Sequence, residues 1–441
     1  MTGPSFPPAG SGVAVIAGRP ARSAVRWRIV GLLLLVITLS FVDRFNMSVA
    51  AKYIQQEFNL SNVEIGSLLS AFVLGYAVFQ TPGGWLGDRF GARRILTLSV
   101  LWWSAFTALT AAAPELPWVR WTGVGLSLWI VRFLVGIGQG PALPDANKLI
   151  GRWMPVHERA RGSSLFLIAV GIGGIVTPPT IAWMMTTWGW RASMVVCGVA
   201  GFAIAALWHW NSTERPEEHR RVSAAELEVI NANRKPTGRP ARLPWRPIFA
   251  GLSVPALMVG NFMLGYVTYI FYTWFFLYLV NVRKLPVISG SYWSTAPFVA
   301  MLIAAPVGGY WTDTLVRRMG YPWGRRIPVM LTSTASGLLL LIGSRLADPY
   351  GAIVLLAIAA GCNSVSAVTT WAMPNDLSEH YSGVIAGVLN TATNLGGALS
   401  PVLTPWIASR YGWIAALDFA AMFMFSIAAL WLLVHPERKV D

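Results

Sequence analysis

Unbroken uncharged runs constrain this chain more than any other feature. No Asp, Glu, Lys or Arg interrupts residues 65–87, 95–114, 162–190, 192–213, 285–312, 327–344, 349–375 or 381–409. A helix needs about 18–20 such residues to cross the hydrocarbon core of a bilayer, and each run supplies them. Three further spans, 29–51, 121–150 and 411–434, hold isolated charges, and the uncharged stretch 247–282 provides one span with an interfacial entry. In lipid every backbone N–H and C=O must be satisfied within its own segment, so these runs read as helices. The expectation is an all-α membrane protein with twelve transmembrane helices.

Charge then gives the orientation. Only 12% of the 441 residues are charged, about half the share of a soluble chain. The net charge of +15 raises the question of a nucleic-acid partner, and its distribution answers it. With the N terminus inside, 24 of the 34 Lys and Arg fall in the N-terminal arm, the inward loops and the C-terminal tail. Seven fall in outward loops (Lys52, Arg120, Arg191, Arg283, Lys284, Arg345 and Arg410), and three, Arg44, Arg132 and Lys148, fall within spans. That asymmetry is the positive-inside pattern, with both termini cytoplasmic and the excess charge facing anionic lipid. No nucleic-acid partner is expected. Cys197 and Cys362 lie in different spans and form neither a disulfide framework nor a metal motif. The first apolar run ends in a signal-like small-residue stretch at 48–51. The Asp43-Arg44 pair and eleven further spans argue for its retention as the first helix.

The chain repeats itself. Gly173, Gly174, Pro178, Trp183, Gly189 and Trp190 recur 223 residues later as Gly396, Gly397, Pro401, Trp406, Gly412 and Trp413. Gly83, Gly84 and Asp88 recur 225 residues later as Gly308, Gly309 and Asp313. Two pseudo-symmetric six-helix bundles related by an axis along the membrane normal account for both offsets. The predicted organisation is a disordered arm over 1–25, a first bundle over 26–210, a polar central segment over 211–246, a second bundle over 247–435 and a tail over 436–441. Ser223-Ala-Ala-Glu226 reads as a capping box opening a short amphipathic helix on the cytoplasmic surface.

Five motifs carry more. GGWLGDRFGARR, residues 83–94, joins the second and third helices. Its Asp88 with Arg89, Arg93 and Arg94 reads as a charged latch at a bundle end, able to bias a two-state equilibrium, or as a tight turn with positive-inside anchors, and the echo at Asp313 favours the latch. FVDRFNMSVA (41–50) lies in the first helix, SAFVLGYAVFQTPGG (70–84) in the second, and RFLVGIGQGPALP (132–144) in the fourth, ahead of RWMPVHERAR (152–161). The loop block resembles the signature of the major facilitator superfamily. Together the blocks resemble the anion:cation symporter family, which includes bacterial sugar-acid permeases and animal sialic-acid and vesicular glutamate transporters. The resemblance runs from about residue 26 to 435. It implies the major facilitator fold and proton-coupled uptake of an organic anion by alternating access.

The residues support an anion independently. Charges within a span are costly and mark function. Arg44 lies ~12 Å from the outer end of its helix and Arg132 ~17 Å from the outer start of its own, by the helical rise, so the two share nearly one slab. Arginine is always charged and its planar fork matches a carboxylate, so two such forks select anions. A structural role, with Asp43 or a backbone carbonyl neutralising them, is the competing reading.

For the proton, every one of the five His falls in a loop or at a span end, leaving Asp43, Asp145 and Asp418 within spans. Asp145 is expected to pair with Lys148, and Asp418 to reach headgroups, which leaves Asp43 as the proton carrier. Many members of the resembled family hold a second carboxylate where this chain has Gln139. That amide follows Arg132 by seven residues on the same helix face.

Tyr76, Gln80, Tyr266, Tyr269, Tyr272, Trp371, Asn390 and Asn394 complete the polar lining, and the resemblance supports Tyr76, Trp371 and Asn390 as substrate contacts. Packing or an interfacial belt for the aromatics, and interhelical hydrogen bonding for Asn390, stay open beside that reading. Gly136-Ile-Gly138-Gln-Gly140 follows no strand and is not a nucleotide fingerprint. No cofactor, metal or enzyme activity is expected. Exchange, efflux of another solute, and solute sensing by a transporter-like receptor remain as alternatives, and a monomer is expected.

Overall fold

The structure, a computed structural model, describes residues 23–155, 158–231, 249, 251–378, 382–435 and 437. The arm assigned to 1–25, the later part of the central segment and the tail thus fall largely outside the described residues.

Among those residues, nine helical segments are long and apolar enough to cross a membrane. Two of them are too long for one crossing. Arg159–Asn211 has 53 residues, about 80 Å as a straight helix, against a hydrocarbon core of about 30 Å. Gly189 breaks it at φ 83, ψ 163, and Gly412 breaks Ser382–Leu430 at φ 86, ψ 163. Side chains resist that region of backbone space and glycine does not. These two glycines are partners in the sequence repeat, and the repeat extends to their backbone angles. Ala92–Thr110, with 19 residues, adds one more helix of spanning length, and with both reversals the described residues are consistent with twelve crossings.

The crossings are α1 (Val25–Phe58), α2 (Asn62–Phe90), α3 (Ala92–Thr110), α4 (Val119–Trp153), α5 and α6 (the two arms of Arg159–Asn211), α7 (Ser253–Val282), α8 (Val287–Met319), α9 (Tyr321–Arg345), α10 (Pro349–Leu377), and α11 and α12 (the two arms of Ser382–Leu430). Ser23, Ser253 and His435 share one end, where the His435 amide donates to Ser253 Oγ over 3.0 Å. We call this the terminal end.

Small residues set how closely the helices approach. A Cβ on Gly136 of α4 would stand 2.1 Å from the Phe72 carbonyl oxygen of α2, and one on Gly75 of α2 would stand 2.2 Å from the Phe133 carbonyl oxygen. Backbone-to-backbone packing of this kind is how helices associate in lipid, where apolar burial offers little advantage.

Contacts between the halves gather toward the end opposite the termini. Trp274, Phe276, Leu277 and Val280 of α7 are buried among Met47, Ala51 and Ile54 of α1, Ile65 and Leu68 of α2, and Ile181 and Met185 of α5. Ser70 Oγ of α2 donates to the Ala398 carbonyl of α11 over 2.6 Å. Gly66 faces Pro401 so closely that a Cβ would lie 2.0 Å from its carbonyl oxygen.

Two charged residues have partners that the sequence does not show. The short helix Ala224–Asn231 is tied to the start of α1 through Glu226, which is wholly buried. Glu226 N donates to Ser223 Oγ over 3.2 Å, but its carboxylate turns away to the start of α1. There it accepts from the backbone N–H of Val25 and Arg26 at 3.2 and 3.1 Å, from Arg26 Nη1 at 3.2 Å and from Ser23 Oγ. Asp418, partly exposed near the end of its helix, has a partner in the protein. It receives a two-pronged bond from Arg345 at 2.6 and 2.7 Å, pinning α12 to α9.

Candidate functional site

A chain of neutral and cationic groups crosses between the halves midway through the bundle. Arg44 of α1 lies over the rings of Phe41, Phe72 and Tyr76, 4.9, 4.8 and 5.0 Å from their centroids. Its Nη1 donates to Tyr269 Oη of α7 over 3.5 Å. Gln80 of α2 donates to Tyr76 Oη over 3.3 Å and accepts from Asn390 Nδ2 at 2.9 Å and Asn394 Nδ2 at 3.4 Å, both on α11. Arg44, Gln80 and Asn390 are all partly exposed. A guanidinium has five N–H donors. Among the described residues Arg44 engages the hydroxyls of Tyr269 and Tyr76, the first over a long 3.5 Å, and its buried Nε has no partner. Cation and aromatic face attract, but three rings do not fill a fork built for oxygen.

Toward the sealed end an aromatic plug closes over this site. Phe45 of α1 packs with its centroid 4.7 Å from Phe298 of α8 and 5.3 Å from Tyr272 of α7, and Tyr272 stands 5.5 Å from Tyr269. Gly174 of α5 leaves room for Phe298, since a Cβ there would stand 2.1 Å from its ring.

Other candidates from the sequence sit elsewhere. Arg132 and Asp43 are 1% exposed, enclosed in the first half, with Arg132 acting electrostatically on Asp43 and lying 5.4 Å from the Phe72 centroid. The two arginine forks thus meet at one ring, but only Arg44 is partly exposed. Gln139 is equally buried and donates to the Ser40 carbonyl over 3.3 Å, so it braces α4 against α1 instead of lining the cavity. Both Asp43 oxygens, Asn46 Oδ1, Gln139 Oε1, and Arg132 Nε and Nη1 are buried with no hydrogen-bond partner among the described residues. Tyr266 turns into the second half, with its hydroxyl 3.0 Å from Thr404 Oγ1 and its ring edge-on to Phe419 and Phe423. Packing wins at that position. Trp371 is 40% exposed on α10 and stands outside the hydrogen-bond chain.

The residues expected to form a charged latch have partners beyond their own loop. Asp88 pairs with Lys148 of α4 at 2.9 Å, and Lys148 also holds Asp145 at 3.5 Å. Arg93 binds Ser212 Oγ at 3.2 Å and the His209 carbonyl, while Arg89 stacks on Trp85 and Phe90, and Arg94 is exposed. Asp313 meets Arg325 at 3.3 Å, which also grips Asp376 at 2.8 Å. Sequence reasoning passed over Phe72, Phe298 and the α1 cap at Glu226. Nothing marks one Phe among twenty, and the cap joins groups 200 residues apart.

Comparison with known proteins agrees with this architecture. The chain is 29% identical over 429 residues, 95% of its length, to a protein of Cupriavidus necator named as a probable sulfoacetate transporter, 96% of which is covered. It is 28% identical to the D-galactonate transporter of Escherichia coli O6:H1, covering 97% of this chain and 99% of that one. The fold is that of a bacterial homologue of the human lysosomal transporter Spinster, with a TM-score of 0.75 at 17% identity over 94% of this chain and 97% of that one. A family model matches residues 33–321 and 288–441, nearly all of the described chain, and by that match the protein belongs to the Major Facilitator Superfamily.

Proposed function

We propose that this multi-pass membrane protein, a transporter and not an enzyme, carries a small organic anion by alternating access. The observation that carries the reading is the Arg44 fork, a permanent, partly exposed cation between the halves whose buried Nε has no partner among the described residues. A carboxylate supplies the planar pair of acceptors that the fork lacks. Relatives named for sulfoacetate and galactonate support an anionic cargo.

Proton coupling is assigned to Asp43, the buried carboxylate one residue before Arg44 and in the field of Arg132. Substrate at Arg44 and charge at Asp43 then act on the same short segment of α1. No cofactor takes part and the proton is the coupling ion. The positive-inside pattern puts the terminal end in the cytoplasm of a bacterial inner membrane, beside anionic lipid, and the protein works as a monomer. A second reading, exchange without protons, draws on Gln139, an amide that cannot share the proton load.

Reconstituted protein decides between them. Labelled sugar acids and aromatic acids are offered to proteoliposomes with and without an inward proton gradient. Arg44→Ala is expected to lower affinity at least tenfold; wild-type affinity in that variant removes Arg44 from the site. Asp43→Asn is expected to lose uphill accumulation and keep counterflow, which needs no net proton movement. Uphill uptake persisting in Asp43→Asn defeats the assignment, and its absence from the wild type favours exchange.

A further inference from the structure

Resting on the anion reading, the structure assigns the cavity to a monoanion whose far end is polar and uncharged, against substrates with a second acid group. Charge census and geometry both lead there. Within the spans the first half offers Arg44, Arg132 and Lys148. Lys148 is held by Asp88 and Asp145 near the terminal end. Arg132 is enclosed beside Asp43, so protonating Asp43 changes the charge behind the cavity wall without bringing a second fork to the substrate. In the second half the described cations sit at helix ends and loops, away from the groups around Arg44. Arg325 is held by Asp313 and Asp376, Arg326 by the Val434 carbonyl, Arg345 by Asp418, and Arg283 by the Gly343 and Leu346 carbonyls.

The wall facing Arg44 is therefore made of amides and phenols: Gln80, Asn390, Asn394, Tyr76 and Tyr269. Amides donate and accept at once and match hydroxyl groups, which do the same. They do not offset the desolvation of a carboxylate. A second carboxylate at the far end of a substrate lies beyond a fork already gripping the first. Likeness to relatives leaves the question open, because sulfoacetate has two acid groups and galactonate has one, and the two relatives are 29% and 28% identical to this chain.

The test pairs acids that differ only in the terminal group. Purified protein in detergent is titrated with gluconate against glucarate, galactonate against galactarate, and 4-hydroxyphenylacetate against 4-carboxyphenylacetate. Each monoanion that binds is expected to bind at least tenfold more tightly than its dianion. Asn390→Lys, which puts a cation opposite Arg44, is expected to move that ratio at least tenfold toward the dianion. Dianions binding as tightly as monoanions overturn this inference and leave the anion reading standing. A ratio unmoved by Asn390→Lys, with dianion binding still weak, assigns the discrimination to shape and also overturns it. No binding by any anion sinks both readings together.

Discussion

Tyr266 and Tyr269 show what a single residue reveals in sequence and what it hides. The two are three positions apart on α7, and their surroundings in sequence are equally apolar. A helix apolar all round carries no periodic signal telling the cavity face from the packed face. A π-helical stretch over Ile270–Trp274 further shifts the register just beyond them. In the structure Tyr269 receives Arg44 and Tyr266 is fully buried against Thr404. Tyr269→Phe is accordingly expected to weaken substrate binding severalfold with little change in melting temperature. Tyr266→Phe is expected to do the reverse, costing about 1 kcal/mol of stability for one buried hydrogen bond. Thermal unfolding and binding isotherms on the two variants check this, and equal binding defects would return Tyr266 to the site. Arg44 was legible for the opposite reason. A charge inside a span is rare enough to announce itself without structural context.

At the scale of elements, glycines and caps decide where helices begin and reverse. The reversals at Gly189 and Gly412 were readable twice over, as paired positions in the repeat and as the places where Arg191 and Arg410 interrupt the uncharged runs. The capping box at Ser223 was readable too, but not its destination. Its Glu226 closes the start of α1, where unpaired backbone N–H groups and the positive end of the helix dipole both favour a carboxylate. Since Arg26 also pairs with Glu158 at 3.0 Å, one cluster binds α1, the segment entering α5 and the central helix. The central segment thereby rides with the first half. Glu226→Ala is expected to lower stability by about 1–3 kcal/mol, the cost of leaving such donors unsatisfied in a buried place. It should also expose residues 224–231 to limited proteolysis while substrate affinity holds. An unchanged digestion pattern would show the helix to be held by something else.

For the molecule as a whole, the twelve crossings and the twofold repeat followed from the sequence, because bilayer thickness and backbone satisfaction leave few other solutions. Which end is sealed did not follow, since both states of an alternating-access protein share one sequence and differ by a small free energy. The structure is closed at the end away from the termini, and a single glycine makes a sharp test of that closure. Gly66 on α2 abuts the Pro401 backbone of α11 across the two halves. Gly75, nine residues on, is as tight but faces Phe133 within its own half. A side chain at Gly66 fits only if the halves part at that end, so Gly66→Val should favour the oppositely open state. Overpacking typically costs about 1–3 kcal/mol, enough to move the ratio of the two states by about five- to 150-fold. A side chain at Gly75 strains both states alike and should lower the melting temperature without moving the ratio. Spin labels at Ser61 and Tyr411 near the sealed end, in a background lacking Cys197 and Cys362, report the separation directly. The Gly66→Val distribution is expected to gain a longer component, Gly75→Val is not, and a Gly66→Val distribution matching wild type would mean that this junction does not control the closure.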